Sequence, residues 1–221
     1  MTIKISYQKK VSKKTSSNNL ILFADEKFNI GSSKKYLSTF ENSYISDLLK
    51  VCDLKKKILV FELSSKKKIF LISIKTNLKN FDIENLGSEL YVKIKSLKNT
   101  EYTIISESVI GNHHNFIAHF LHGIKLKSYK FEKYKSKKSK QILVFTVSGK
   151  NKPSIKDNIK FQSLENGTFY TRDLVSEPGN VLHPDEYARR LSLLKKDGLK
   201  VTIYDQKKLK KLGMNTLLGV G

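Results

Sequence analysis

Residues 171–184, with the sequence TRDLVSEPGNVLHP, constrain the fold of this chain more than any other segment. The residue before a proline avoids the α conformation, so a helix entering this segment should end before Pro178. Gly179 and Asn180 tolerate the positive φ of a sharp reversal. In residues 183–186, HPDE, a proline at the first helical position and two acidic side chains in the first turn favour a second helix. On spacing alone, the segment is a joint between two helices.

In the residues before this joint, short apolar runs alternate with segments whose apolar residues recur at helical spacing. Strands are predicted at 2–7, 20–23, 57–63, 69–74, 101–105 and 141–147, of which the third and fourth form either a hairpin or two neighbouring strands. Helices are predicted around 44–49, over 83–97, over 113–127 and over 154–176. Asn112 is a candidate N-cap of the third helix. This order predicts an α/β fold with a mixed sheet.

A second α/β unit is predicted after the joint. An apolar stripe following Pro184 predicts a helix that ends at Gly198 in the left-handed conformation. A strand over 199–204, a short helix capped by Asp205 and a strand at 217–220 follow. The predicted organisation is an N-terminal α/β domain over 1–150, a connecting helix over 151–176, and the incomplete start of a second α/β domain over 177–221.

The net charge of +22 is concentrated in the first two thirds of the chain, where residues 1–150 contain 29 lysines and 12 acidic side chains. Such a balance attracts polyanions. However, the three arginines all lie after residue 170, and bidentate recognition of guanine or phosphate prefers arginine. Two explanations stay open: solvated lysine faces that reflect an AT-rich genome, and weak nucleic-acid binding.

Several sequence features bear on the compartment. The one cysteine, Cys52, excludes an internal disulfide and a cysteine zinc cluster. The first 14 residues contain no apolar core of a secretion signal. Purely apolar runs such as Ile142 to Phe145 are far shorter than the ~20 residues that span a bilayer. We therefore expect a soluble, cytoplasmic protein without a membrane partner.

Four of the five histidines cluster near residues 113–122. His119 and His122 lie one helical turn apart and could bind a metal ion. No cysteine or carboxylate lies within a turn of this pair in the sequence, and surface or capping histidines are commoner than ligands. Residues 127–135, KSYKFEKYK, interleave lysines with three aromatics, as a nucleic-acid surface could. Neither segment by itself establishes a site.

Three segments resemble the leucyl aminopeptidase (cytosol aminopeptidase) family of two-metal exopeptidases. Residues 171–184 are similar to [AT]-R-[DE]-L-[VI]-[NS]-E-P-[AGP]-N-x-L-x-P, which opens the family's catalytic domain. Residues 127–135 resemble its G-x-Y-x-F-x-x-Y-K run, so these aromatics are expected to pack. Residues 201–221 resemble [VI]-x-[VI]-x-[DE]-x-x-x-[LM]-x-x-[LM]-G-M-G-x-[LIF]-L-x-V-x, with Asn215 in place of a glycine. The resemblance is strong over 163–221 and fair over 110–147.

The resemblance implies a metallopeptidase that releases N-terminal amino acids from peptides, with two Mn²⁺ or Zn²⁺ ions and a homo-hexameric assembly. The family's ligands lie in V-G-K-G-[VIL]-x-[FY]-D-[ST]-G-G and N-T-D-A-E-G-R-[LM] runs, and this sequence contains neither run. No catalytic, cofactor-binding or metal residue is therefore carried over to this chain. Arg172, Asp173 and Glu177 are expected to fix the turn by hydrogen bonds and ion pairs.

The expected function is that of an N-terminal fragment of such an enzyme, inactive alone and binding no metal itself. An α/β domain that ends after two strands leaves apolar faces uncovered, which favours a truncated or split sequence. Two alternatives remain: a stand-alone basic nucleic-acid-binding module, for which some bacterial family members give precedent, and an inactive partner in oligomers.

Overall fold

The computed structural model describes residues 2–10, 19–137 and 141–220. The chain divides into two compact units, residues 1–168 and 169–221. None of the described helices is long and apolar enough to cross a membrane. The predicted loop at 9–19 and basic turn at 137–140 lie largely outside the described residues.

The first unit is built on a six-stranded mixed sheet. Its strands are β1 (Thr2–Gln8), β2 (Asn19–Ala24), β3 (Ile58–Glu62), β4 (Lys68–Ser73), β5 (Glu101–Ile105) and β6 (Ile142–Ser148). Their spatial order is β1-β6-β5-β2-β4-β3. Only β3 runs antiparallel to its neighbour, because it forms the predicted hairpin with β4. The other neighbouring pairs are parallel, so their carboxyl ends share one edge of the sheet.

Helices cover both faces of this sheet, as buried parallel strands require. The helices of this unit are α1 (Thr39–Leu49), α2 (Asn80–Ile94), α3 (Phe116–Ser128) and most of α4 (Ile155–Ser176). One core joins Ile21 and Phe23 to α2 and α3. The other joins Leu20 and Leu22 to Ile45 of α1. Successive side chains of β2 thus point alternately into the two cores, which explains why every residue of this strand is buried.

Two glycines set the distance between α2 and α3. A Cβ atom on Gly87 would lie 2.1 Å from the carbonyl oxygen of Phe120, and one on Gly123 would lie 1.9 Å from that of Glu84. Real Cβ atoms essentially never approach a neighbour so closely. The backbones of these two helices are therefore in direct contact, which only residues without a side chain permit.

The start of α3 differs from the prediction. Asn112 is not its cap; the N-cap is Asn115, whose backbone is left-handed with φ 54°. Asparagine tolerates this conformation, and it prevents the helix from extending back over His113 and His114. The histidine cluster is thereby divided between a loop and a helix.

The second unit contains helices only, within its described residues. They are the end of α4, then α5 (Pro184–Leu193), α6 (Gln206–Lys211) and α7 (Asn215–Leu218). Gly198 adopts the predicted left-handed conformation after a 3-10 turn, with φ 85°. Asp205 caps α6 by accepting a 2.8 Å hydrogen bond from the backbone N–H of Lys208.

Both strands predicted for this unit are wrong. Residues 199–204 form no regular element, and residues 215–218 are helical instead of extended. A strand requires a neighbour to accept and donate its backbone hydrogen bonds, and the described part of residues 169–220 provides none. Many apolar side chains of this unit are exposed, among them Leu199, Ile203 and Leu217.

Candidate functional site

The joint at residues 171–184 begins where α4 ends at Ser176 and finishes where α5 begins with Pro184 at its first position. The two helices are therefore placed as predicted, but the turn between them is not. Neither Gly179 nor Asn180 has a positive φ. The backbone N–H groups of Val181 and Leu182 both donate to the carbonyl oxygen of Pro178, at 2.9 Å each. Such a turn closes with ordinary negative φ values.

An ion-pair network holds the joint together. Arg190 Nη1 donates to Glu177 Oε1 at 2.9 Å, and Arg190 Nε donates to Glu186 Oε1 at 2.8 Å. Arg189 makes a bidentate contact with Glu186 at 2.6 and 2.8 Å. Hydrogen bonds from Arg189 and Arg190 lower the pKa of Glu186 to about 2. Because Glu177 lies just after α4, its ion pair with α5 confirms the structural role predicted for it.

Arg190 should matter more to this joint than its neighbour does. We expect Arg190→Gln to accelerate hydrogen exchange of the α5 amides by about tenfold, since it removes an ion-pair partner of Glu177, whose side chain is 1% exposed. Arg189→Gln is the matched control, because Arg189 is 60% exposed and its ion pair is with Glu186, which is 21% exposed. Equal exchange in the two variants would contradict a role for the pair between Glu177 and Arg190.

The two histidines considered as metal ligands have separate carboxylate partners. His119 Nδ1 lies 2.8 Å from Glu84 Oε1 on α2. His122 Nδ1 lies 3.1 Å from Glu165 Oε1 on α4, and Phe161 packs against both rings. Within the described residues no group of three or more His, Cys, Asp or Glu side chains is placed to hold a metal ion. These histidines therefore connect α3 to its two neighbouring helices.

The basic and aromatic segment at 127–135 shows partial packing. The rings of Phe131 and Tyr134 meet edge to face, with centroids 5.8 Å apart. Lys133 Nζ lies 5.4 Å from the centroid of the Tyr134 ring, which is itself 54% exposed. Phe131 and Tyr134 thus pack against each other, while Tyr134 also faces solvent.

Comparisons with known proteins find relatives that are described as cytosol aminopeptidases. Residues 169–221 match the family model "Cytosol aminopeptidase family, catalytic domain". A protein of Nitrobacter winogradskyi described as "Probable cytosol aminopeptidase" is 37% identical over 155 residues, which cover 65% of this chain and 30% of that protein. The chain therefore spans about a third of the length of this relative.

Solved structures share the fold of nearly the whole chain. A mutant of tomato leucine aminopeptidase matches with a TM-score of 0.70 and 17% identity, covering 96% of this chain and 46% of that one. The bottromycin maturation enzyme BotP in complex with Mn matches with a TM-score of 0.60 and 13% identity, covering 89% and 40%. At these identities the structures establish the fold, while the sequence matches establish the relationship. Together these findings show that the chain is similar to part of the leucyl (cytosol) aminopeptidases, with residues 169–221 matching the catalytic domain of that family.

Proposed function

We propose that the complete protein is a metalloaminopeptidase, a hydrolase that releases N-terminal amino acids from peptides. The observation that carries this proposal is the match of residues 169–221 to the cytosol aminopeptidase catalytic domain. In the proposed organisation, residues 1–150 form an N-terminal domain, residues 151–176 a connecting helix, and residues 177–221 the start of the catalytic domain. The exposed apolar side chains of residues 199–217 suit this proposal, because further catalytic-domain sequence would cover them.

Two divalent ions, Mn²⁺ or Zn²⁺, are the proposed cofactors of the complete protein. Manganese is supported by the similar enzyme that was solved with Mn. The side chains described here do not fit such a centre, because they include no cluster of three or more potential ligands. We accordingly assign no catalytic, cofactor-binding or metal-binding residue to this chain.

We further propose a cytoplasmic location and a homo-hexameric assembly for the complete protein. The location is supported by the names of the relatives, which are cytosol aminopeptidases. The hexamer rests on the family resemblance of the sequence. Light scattering of the complete protein tests it directly, since a mass of six subunits is expected and a monomeric mass contradicts it.

The 221-residue chain alone should not hydrolyse peptides. We expect no metal-dependent release of leucine from leucine amide by the purified chain with either Mn²⁺ or Zn²⁺, because the part of the chain that the structure describes contains no cluster of ligands to activate water. The positive control is the Nitrobacter relative under the same conditions. Release that scales with the concentration of the pure chain would show that its own residues form an active centre.

A second measurement tests the complete protein. The intact mass of the native product in its source cell should be about twice the 25.4 kDa of this chain, since the chain covers 46% of the tomato leucine aminopeptidase. A native mass of 25.4 kDa would contradict the proposed peptidase. It would favour the binding module or the inactive oligomer partner, neither of which the comparisons support.

A further inference from the structure

A cavity of about 840 Å³ lies in the first unit, at the carboxyl ends of the parallel strands. Lys9 and Lys10 directly follow β1, Ser148 and Lys150 lie at the end of β6, and Glu107 follows β5. The remaining lining residues are Lys35, Tyr36, Gly149 and Lys152. Its volume lies in the range of small-molecule sites, about 300–1,000 Å³. Because Lys35 and Tyr36 follow β2, the segments after four neighbouring strands, β1, β6, β5 and β2, line one cavity.

The position of the cavity in the sheet is the one that α/β proteins use for ligands. After β2, the chain crosses the sheet through α1, which packs in the second core. After β5, it crosses through α3, which packs in the first core on the opposite face. The neighbouring strands β2 and β5 are therefore a topological switch point, where a crevice opens at the carboxyl ends.

The charge of the lining is strongly positive. Five lysines line the cavity, against the single carboxylate of Glu107. The Tyr36 hydroxyl donates to Glu107 Oε2 at 2.7 Å, and Lys35 Nζ lies 3.9 Å from the same oxygen. The hydrogen bond from Tyr36, with the charges of Lys35 and Lys150, lowers the pKa of Glu107, so this carboxylate is ionised at neutral pH. The positive charges remain in large excess, and a multivalent anion would relieve their mutual repulsion.

The backbone and hydroxyl groups at the base of the cavity fit the same kind of ligand. Gly149 has φ +122°, and a Cβ atom there would lie 2.4 Å from Ser106 Oγ. This backbone conformation, which only glycine allows here, brings Lys150 next to Glu107. The buried hydroxyl of Ser148 has no hydrogen-bond partner among the described residues, so its donor is available.

We propose that this cavity binds a small oligophosphate anion, with Lys35 and Lys150 as its principal contacts. Phosphate groups present several negative charges and strong acceptor oxygens, which lysine ammonium groups bind as point charges. The lining contains only one aromatic side chain, Tyr36, so recognition rests on the phosphates. The ligand class therefore includes inorganic tripolyphosphate and the triphosphate moiety of a nucleotide.

Calorimetric titration of the 221-residue chain with sodium tripolyphosphate, ATP and inorganic phosphate at 50 mM salt tests the proposal. We expect saturable tripolyphosphate binding with Kd of about 10 µM, much weaker phosphate binding, and weakening by added salt. Equal affinity for ATP and tripolyphosphate would show that the phosphates alone determine the affinity. Tighter binding of ATP would show that the nucleoside also contacts the cavity. Absence of saturable tripolyphosphate binding overturns the proposal.

Matched double variants separate the cavity from general charge attraction. Lys35→Gln with Lys150→Gln should weaken tripolyphosphate binding by about tenfold or more. Lys93→Gln with Lys95→Gln removes the same charge from exposed positions on and just after α2, and should change binding by less than about twofold. Equal weakening in the two pairs overturns the proposal. It is also overturned if a single-stranded oligonucleotide binds more tightly than tripolyphosphate and loses affinity in the cavity pair.

A labelling experiment on the unmodified chain keeps the test independent of variant folding. Tripolyphosphate should protect Lys35 and Lys150 from an amine-acetylating reagent, while Lys93 and Lys95 react at an unchanged rate. Uniform protection of all four lysines, or protection of none, contradicts a site in the cavity. Because both experiments use binding as the readout, their outcome is independent of the proposed peptidase activity.

Discussion

Gly87→Ala and Gly123→Ala should each destabilise the first unit by about 3 kcal/mol or more. The new methyl group of Gly87→Ala would lie 2.1 Å from the carbonyl oxygen of Phe120 on α3. That of Gly123→Ala would lie 1.9 Å from the carbonyl oxygen of Glu84 on α2. To reach an acceptable contact the two helices would have to separate by about 1 Å, which opens the core that they share with β2. The loss of stability is measured by following hydrogen exchange of the α2 and α3 amides as the temperature is raised. We expect the midpoint to fall by roughly 10 °C.

Gly167→Ala is the matched control for this prediction. Gly167 lies in α4, is exposed, and a Cβ atom there would meet nothing within 4 Å. Because alanine is the better helix former, this variant should be more stable than the original chain by up to about 1 kcal/mol. A loss of stability at Gly167 comparable to that at Gly87 would show that helix propensity, and not close approach, governs the glycine positions.

The second large effect is expected at Glu165. Its carboxylate is 6% exposed and connects α4 to α3 through two contacts, with His122 Nδ1 at 3.1 Å and Lys125 Nζ at 2.8 Å. Glu165→Ala would leave the buried imidazole of His122 without this partner and would open a gap beside Phe161. We expect a loss of about 2–4 kcal/mol in the unfolding free energy of the first unit. Urea unfolding followed by exchange of the α3 amides measures it.

Glu89→Gln provides the comparison for an exposed ion pair. Glu89 pairs with Lys57 at 3.0 Å, but the side chains are 42% and 63% exposed. Solvent screens such a pair, so its loss should cost no more than about 1 kcal/mol. If Glu165→Ala were as mild as Glu89→Gln, the contacts between α3 and α4 would contribute little beyond apolar packing.

The strands and helices of the first unit could be predicted because their signals are local. The run Leu20 to Phe23 is apolar at every position, and the structure buries each of these residues under helices on both faces. The stripe that begins at Ile83 likewise predicted α2, since its period matches the helix. In both cases the residues that determine the element lie within the element itself.

The predictions that failed depend on partners outside the local sequence. Residues 199–204 alternate like a strand, but a strand forms only beside another one, and the described part of the second unit contains none. The same limitation applies to the candidate sites. Glu84 and Glu165 lie 35 and 43 residues away from their histidine partners, so no local pattern predicts these pairs. The lysine-lined cavity draws on loops after four strands, and its lysines look like ordinary surface charge in the sequence.

The order of strands in the sheet has a consequence for how this protein folds during synthesis. Strand β1 precedes the other described strands in the chain, yet among them it pairs with β6 alone, and Thr2 lies opposite Ile142. Pairing over so long a loop carries a large entropic cost and depends on the rest of the sheet being in place. The strands from β2 to β5 can assemble earlier, because their partners lie closer along the chain. The growing polypeptide must therefore keep β1 unpaired until residues 142–148 have left the ribosome, and a chaperone that binds short apolar segments would find its target in β1.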